Sequence, residues 1–152
     1  MFLIGALIGC SFFAEAQERS VGVRWAYGSG LAFRQKFTEK HAIEGILVAR
    51  WGGVAVSGLY ERERSIGNNE AWSWYYGGGF HLGLHRRSND LPLENERFSK
   101  AQINVGIDLI AALAYRFREI PLAVSLDFKP TLSFTTEEWV PENFGLTGRW
   151  RF

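Results

Sequence analysis

The stretch 122–134, Leu-Ala-Val-Ser-Leu-Asp-Phe-Lys-Pro-Thr-Leu-Ser-Phe, decides the fold class. Leu122, Val124, Leu126, Phe128, Pro130, Leu132 and Phe134 hold one set of alternate positions; Ala123, Ser125, Asp127, Lys129, Thr131 and Ser133 hold the other. Successive side chains of a strand point to opposite faces, so a period of two predicts a strand with one apolar face and one polar or small face. Pro130 has no amide hydrogen to give to a ladder, which places it near a strand end or a bulge.

The same period recurs along the chain. Phe144, Leu146, Gly148, Trp150 and Phe152 oppose Gly145, Thr147, Arg149 and Arg151. Over 103–117 an apolar set oppose Asn104, Gly106, Asp108 and Arg116, with Ile110 as the exception; over 72–84 Trp72, Trp74, Tyr76, Phe80, Leu82 and Leu84 oppose Ser73, Gly77, Gly79, His81 and Gly83. No stretch after residue 17 has the 18 or more consecutive apolar residues of a transmembrane helix. Eight strands are predicted, over 20–27, 30–37, 42–51, 54–62, 72–85, 102–117, 121–134 and 143–152. Residues 20–37 read either as one long strand or as two strands meeting at Gly28-Ser29-Gly30; the even strand number of bacterial barrels favours two.

These strands run from about 8 to 16 residues, around the length a tilted strand needs to cross a bilayer. Their polar faces mix small residues with both signs of charge, the filling suited to a narrow barrel interior where charges must pair. The expected fold is therefore a single closed antiparallel up-and-down β-barrel of about eight strands, transmembrane, with its apolar face outward. The predicted interior carries Arg24, Arg34, Lys36, Arg50, Arg116, Lys129, Arg149 and Arg151 against Glu44, Glu61, Asp108 and Asp127. Eight strands leave room only for side chains, so this network is expected to plug the lumen. Short connections at 38–41, 65–71 and 118–121 are assigned to the periplasmic end. Those at 28–30, 52–53, 86–101 and 135–142 are assigned to the outer end, where such barrels carry their longer loops. On that topology aromatics gather at both ends, Phe37, Tyr60, Trp72, Trp74, Tyr115, Phe117, Trp150 and Phe152 at one, and Trp25, Tyr27, Trp51, Phe134, Trp139 and Phe144 at the other.

Residues 1–16 read as a signal peptide ahead of a barrel domain over 17–152. The apolar run at 2–14 is too short for a membrane span and is followed by Ala14-Glu15-Ala16, a cleavage signal. Leu7-Ile8-Gly9-Cys10 also reads as a lipobox that makes Cys10 a lipidated terminus; the apolar run continuing through Phe12-Phe13 favours cleavage after Ala16. Cys10 is the single cysteine, which suits an oxidising compartment for the mature chain. With 17 basic and 16 acidic residues, the chain lacks the basic excess of a nucleic-acid binder.

Gly148-Arg149-Trp150-Arg151-Phe152 resembles the C-terminal signal of outer-membrane barrels, although Thr147 stands where that signal usually has Gly. With Leu59-Tyr60-Glu61, the run 74–79 and the run 120–130, residues 20–152 resemble small Gram-negative outer-membrane barrels of the OmpX-like and OmpA-transmembrane-like kind. The resemblance implies location in the outer membrane, contact with its lipid and lipopolysaccharide, and recognition of Trp150 and Phe152 by the barrel assembly machinery. It implies almost nothing about activity, and the external ligand stays unnamed.

A structural or surface-interaction role is expected, without enzymatic activity or cofactor. The alternatives are a lipid A-modifying barrel enzyme, an acyl hydrolase or acyltransferase, and then a soluble lipocalin-like binding barrel. The deacylase type carries a His-x-Ser pair, which none of His41, His81 and His85 provides. His85 with Ser88 and Asp90 is the best candidate constellation, set against the reading of His81 and His85 as polar lumen fillers. As metal ligands on one strand, those two histidines stand roughly 13 Å apart, too far for one ion. Gly77-Gly78-Gly79 precedes no helix and is not a phosphate loop. Arg86, Arg87, Arg97 and Lys100 offer guanidinium and ammonium groups to lipopolysaccharide phosphates, or form a solvated mixed-charge loop with Glu94 and Glu96.

Overall fold

The computed structural model describes residues 18–50, 53–86, 101–135, 139–141 and 143–152; the leader read over 1–16, the connection at 87–100, and positions 51–52 and 136–138 lie outside the described residues. All regular structure among the described residues is strand: β1 (Arg19–Trp25), β2 (Ser29–Lys36), β3 (His41–Arg50), β4 (Gly53–Ile66), β5 (Asn69–Arg86), β6 (Ala101–Arg116), β7 (Leu122–Phe128), β8 (Thr131–Ser133), β9 (Trp139–Val140) and β10 (Phe144–Arg151).

Each strand pairs antiparallel with its chain neighbour from β1 to β7, β7 pairs with β10, and β10 returns to β1. The ring closes as an eight-stranded antiparallel barrel. β7 and β8 form one stave, because Phe128 faces Ala111 and Thr131 faces Asp108 in a single register across Lys129-Pro130. Pro130 interrupts only the donor side: its carbonyl still accepts from the Leu109 amide at 3.0 Å. β9 pairs with β8 and leads into β10 as the eighth stave, so this stave begins earlier than residue 143.

Residues 20–37 are two strands, with Trp25 paired to Ser29 across a turn at 26–28. The predicted turn at 65–71 is corrected. β4 runs on to Ile66, β5 starts at Asn69, and Gly67-Asn68 makes the turn with Gly67 at φ +63°, a left-handed conformation suited to glycine. The charged run Glu61-Arg62-Glu63-Arg64 disguised this extension. Its glutamates point inward and its arginines outward, so the alternation persists although both faces are charged.

Apolar side chains face out and charges face in. Leu126 is 58% exposed while its neighbour Asp127 is 2% exposed. A minor apolar layer of Ala32, Ile46, Leu59, Ile110, Ala112 and Ala114 packs inside around Tyr75, and Ile110, the exception on its strand, belongs to it. The wall is tightest between β4 and β5. An added Cβ at Gly79 lies 1.8 Å from the Gly58 carbonyl oxygen, and one at Gly77 lies 2.0 Å from that of Tyr60. Gly58 itself, facing outward, meets nothing within 4 Å.

Gly79→Ala is therefore expected to lower the unfolding free energy by about 1–3 kcal/mol through overpacking. Gly58→Ala should stay within about 0.5 kcal/mol of the parent. Urea titrations of the two variants in the same detergent provide the comparison; equal effects contradict the wall geometry.

Candidate functional site

Eight strands that turn most of their polar positions inward bring distant charges together. Among the described residues, five buried cations (Arg24, Arg34, Lys36, Lys129 and Arg149) meet five buried carboxylates (Glu44, Glu61, Glu63, Asp108 and Asp127). Removing a charge from water is costly unless a partner and hydrogen bonds replace the solvent. Each of these charges has an oppositely charged partner, in three connected groups, although Arg34 Nη2, Glu44 Oε2, Glu61 Oε1 and Arg149 Nε have no hydrogen-bond partner among the described residues.

At the centre, Arg149 on β10 donates from Nη2 to Glu44 Oε1 on β3 at 2.5 Å and from Nη1 to Ser125 Oγ on β7 at 2.5 Å. Its Nη2 also reaches the Tyr75 hydroxyl at 3.1 Å, and that hydroxyl donates to Ser125 Oγ at 3.2 Å. The Tyr75 ring takes the guanidinium of Arg34 at 4.6 Å and that of Arg149 at 5.6 Å from its centroid. A fully buried ring between two cations adds quadrupole attraction to the ion pairs. Toward the short-turn end, Arg34 donates from Nε to Glu61 Oε2 at 2.6 Å and from Nη1 to Glu63 Oε2 at 3.0 Å. Glu63 also holds Lys36 Nζ at 2.9 Å and the Arg116 guanidinium. On β1, Arg24 reaches past β10 to fork onto Asp127 of β7, with Nη2 at 2.5 Å and Nε at 3.1 Å from Oδ1, and Thr147 of β10 donates to Asp127 Oδ2 at 3.2 Å.

The third group lies at the other end of the lumen. Lys129 Nζ donates to Asp108 Oδ2 and, at 3.3 Å, to Ser57 Oγ. His81 Nδ1 lies 2.8 Å from Asp108 Oδ1, and His81 Nε2 lies 3.5 Å from Ser133 Oγ.

Of the expected interior residues, Glu44, Glu61, Asp108, Asp127, Lys129 and Arg149 are buried in these groups. Arg116 is partly exposed beside Glu63, and Arg151 sits at the rim, where Nη2 donates to the Phe117 carbonyl at 3.2 Å and Nη1 lies 3.7 Å from Glu18. The Arg50 side chain, Ser88 and Asp90 lie outside the described residues. His85 is corrected: it is exposed at the mouth rather than filling the lumen, whereas His81 is buried. Trp150 and Phe152 are exposed on the outer face, and Phe152 closes the ring by exchanging backbone hydrogen bonds with Arg19 at 2.9 and 3.2 Å.

Glu63, Tyr75, Ser57, Ser125 and Thr147 complete the network without having been singled out in the sequence. Glu63 follows Glu61 by two, and Tyr75 lies between the inward Ser73 and Gly77, so alternation alone marks both positions. Tyr75 was hidden by its chemistry, since rings beside it at 72, 74 and 76 face out.

Asp127→Ala leaves the Arg24 guanidinium buried and unpaired, and is expected to cost about 3–5 kcal/mol. Arg24→Met combined with Asp127→Leu should recover most of that loss, because a well-packed apolar pair removes both desolvation terms. Arg151→Ala at the rim should cost about 1 kcal/mol or less. Unfolding titrations in one detergent rank the three; a mild Asp127→Ala speaks against the pairing. No family model and no curated protein matches the chain, and the reading of the site rests on this geometry.

Proposed function

We propose that the protein is a small outer-membrane barrel of a Gram-negative bacterium with a structural or surface-interaction role, its lumen closed by the ion-pair network. The observation that carries this reading is the inversion of the two faces. Ion pairs fill the interior, while Val21, Leu31, Phe33, Leu47, Val56 and Leu82, among many others, stand exposed outside. A contiguous apolar surface of this extent needs an apolar surrounding. On β5 the outward apolar positions run from Trp72 to Leu84. Those 13 residues, at about 3.4 Å each and a tilt of roughly 40°, rise about 30 Å, close to the apolar band of outer-membrane barrels.

Aromatic rings at both ends support the same reading. Trp72 packs on Tyr115 at 4.9 Å and Tyr115 on Phe117 at 5.0 Å near the short turns, and Trp25, Tyr27, Phe134 and Trp139 stand exposed toward the other end. Amphipathic rings favour the headgroup level. Partners on this reading are outer-membrane lipid, lipopolysaccharide at the loop end, and the barrel assembly machinery acting on the strand that ends in Trp150 and Phe152. A lipocalin-like binder, by contrast, needs an apolar interior, and the described interior is dominated by charge.

Leu126 pairs with Leu146 on one side and Leu113 on the other, in mid-wall. Leu126→Arg should cost about 2–4 kcal/mol in lipid vesicles. Leu126→Ala should cost far less, since lipid chains fill the space it leaves. Equal penalties, or folding in buffer without detergent or lipid, refute the membrane reading.

Orientation has its own test. A cysteine replacing Asn89, between β5 and β6, should react with an impermeant maleimide on intact cells, and one replacing Asn68 should not. The reverse pattern inverts the topology.

A further inference from the structure

We propose that Ser133, His81 and Asp108 form a nucleophilic acyl-transfer centre at the loop end of the lumen, acting on small esters that enter from water. This goes beyond the barrel reading, which stands whether or not the centre is active.

The three side chains are joined in the order that activates a serine. With the proton on Nδ1, His81 donates to Asp108 Oδ1 at 2.8 Å, and Nε2 is the nitrogen left to accept from a hydroxyl. Ser133 Oγ lies 3.5 Å from that Nε2. A loose serine–histidine contact is usual before substrate binds, because such bonds tighten in the complex. A carboxylate on one imidazole nitrogen and a hydroxyl on the other are the geometric roles of a nucleophile, its base and the group that orients the base.

The fold is shaped to permit this contact. His81 on β5 and Ser133 on β8 are not on neighbouring strands; both pair with Gly106 on the strand between them. A Cβ at Gly106 would lie 2.5 Å from His81 Cε1. The bare glycine thus lets the imidazole lie across β6 and reach the serine. Asp108, two residues further along β6, holds the ring from below, and Lys129 fixes the other oxygen of that carboxylate.

Access defines the substrate class. Ser133 points inward while Leu132 and Phe134 on either side face outward or half-outward, so the hydroxyl is turned away from any surrounding lipid. The row above it is open: Thr135 is exposed and Asn104 half-buried, joined by a 3.2 Å hydrogen bond. Ser133 and His81 themselves are only 5% and 7% exposed. The proposed substrate is accordingly a small ester rather than a bulky or membrane-held acyl chain, since the nucleophile lies inside the wall, one row from Thr135 and Asn104.

In the reaction, Ser133 Oγ bonds to the ester carbonyl carbon and its proton passes to His81 Nε2. The carbon–oxygen bond to the alcohol breaks, and the alcohol leaves with that proton. Water then bonds to the acyl carbon as its proton passes to His81 Nε2, the bond from that carbon to Ser133 Oγ breaks, and His81 returns the proton to Oγ as the carboxylic acid leaves.

The test uses the full barrel folded in detergent, with folding verified by heat-modifiable gel migration. The probes are a small alkyl phosphonofluoridate, read by intact mass, and p-nitrophenyl acetate, read by turnover. The folded protein should gain one phosphonyl group per chain, fluoride leaving as the Oγ–phosphorus bond forms. Ser133→Ala, which gives up only a 3.5 Å contact, should fold and gain none. His81→Gln should slow both reactions at least about 100-fold, within the range expected for loss of a general base. Ser65→Ala, exposed at the opposite end, should react like the parent. A folded parent that stays unmodified, or a Ser133→Ala variant that is labelled or turns over ester at the parent rate, overturns the proposal.

Discussion

The structure depends on the need to match charge inside a lumen too narrow for bulk water. Five cations and five carboxylates are buried there among the described residues, and each is held by at least one ion pair. Backbone ladders join only neighbouring strands. The ion pairs join strands that the ladders do not: Arg149 to Glu44 spans 105 residues of sequence, and Arg24 to Asp127 spans 103. They tie together staves that lie two or three apart around the ring. A buried ion pair adds little net stability over an apolar pair, yet breaking one is costly, so its main effect falls on specificity. A slip of one residue in any stave would turn its charges outward and its leucines inward. The network therefore penalises every wrong register at once.

The outer surface is the complement of that interior. With most polar positions committed inward, the other half of each strand is free to be apolar, and over most of the wall it is, the outward Arg62 and Arg64 near the short turns excepted. Shape follows from the same commitment. An eight-stranded ring curves sharply, and where β4 and β5 crowd on the inside no side chain fits, hence Gly77 and Gly79. Tyr75, two residues from Gly77, then takes the space near the axis and presents its ring to two guanidinium groups. Small residues on one part of the wall make room for a large one on another.

The two ends of the lumen differ in kind. Toward the short turns, Glu63 collects Arg34, Lys36 and Arg116 into a dense knot with no hydroxyl–imidazole pair among these contacts. Toward the loops, Asp108 is shared between an ammonium and an imidazole, and the imidazole still has a free face toward a hydroxyl. The first arrangement immobilises charge. The second sets an imidazole nitrogen beside a serine hydroxyl, one row beneath an exposed rim, and on that arrangement the proposed acyl-transfer centre rests.

Much of the fold was legible in the sequence because a strand's period of two survives without any knowledge of its partners. Alternation at 122–134 alone assigns Asp127 and Lys129 to one face and Leu126 to the other, and the closed ring bears out both assignments. It failed to bound β4, where the run 61–64 is charged on both faces, and it could not separate His85, which stands exposed near the rim, from His81, which fills the lumen on the same face. The pairings were beyond its reach. That Arg149 meets Glu44, that Tyr75 lies between two arginines, and that His81 crosses Gly106 to Ser133 are consequences of the strands' relative stagger and of which staves face across the lumen. Periodicity by itself determined which way each side chain points, since that is local geometry. Only the tertiary structure decided whom it meets, since closure brings together residues that the chain keeps a hundred positions apart.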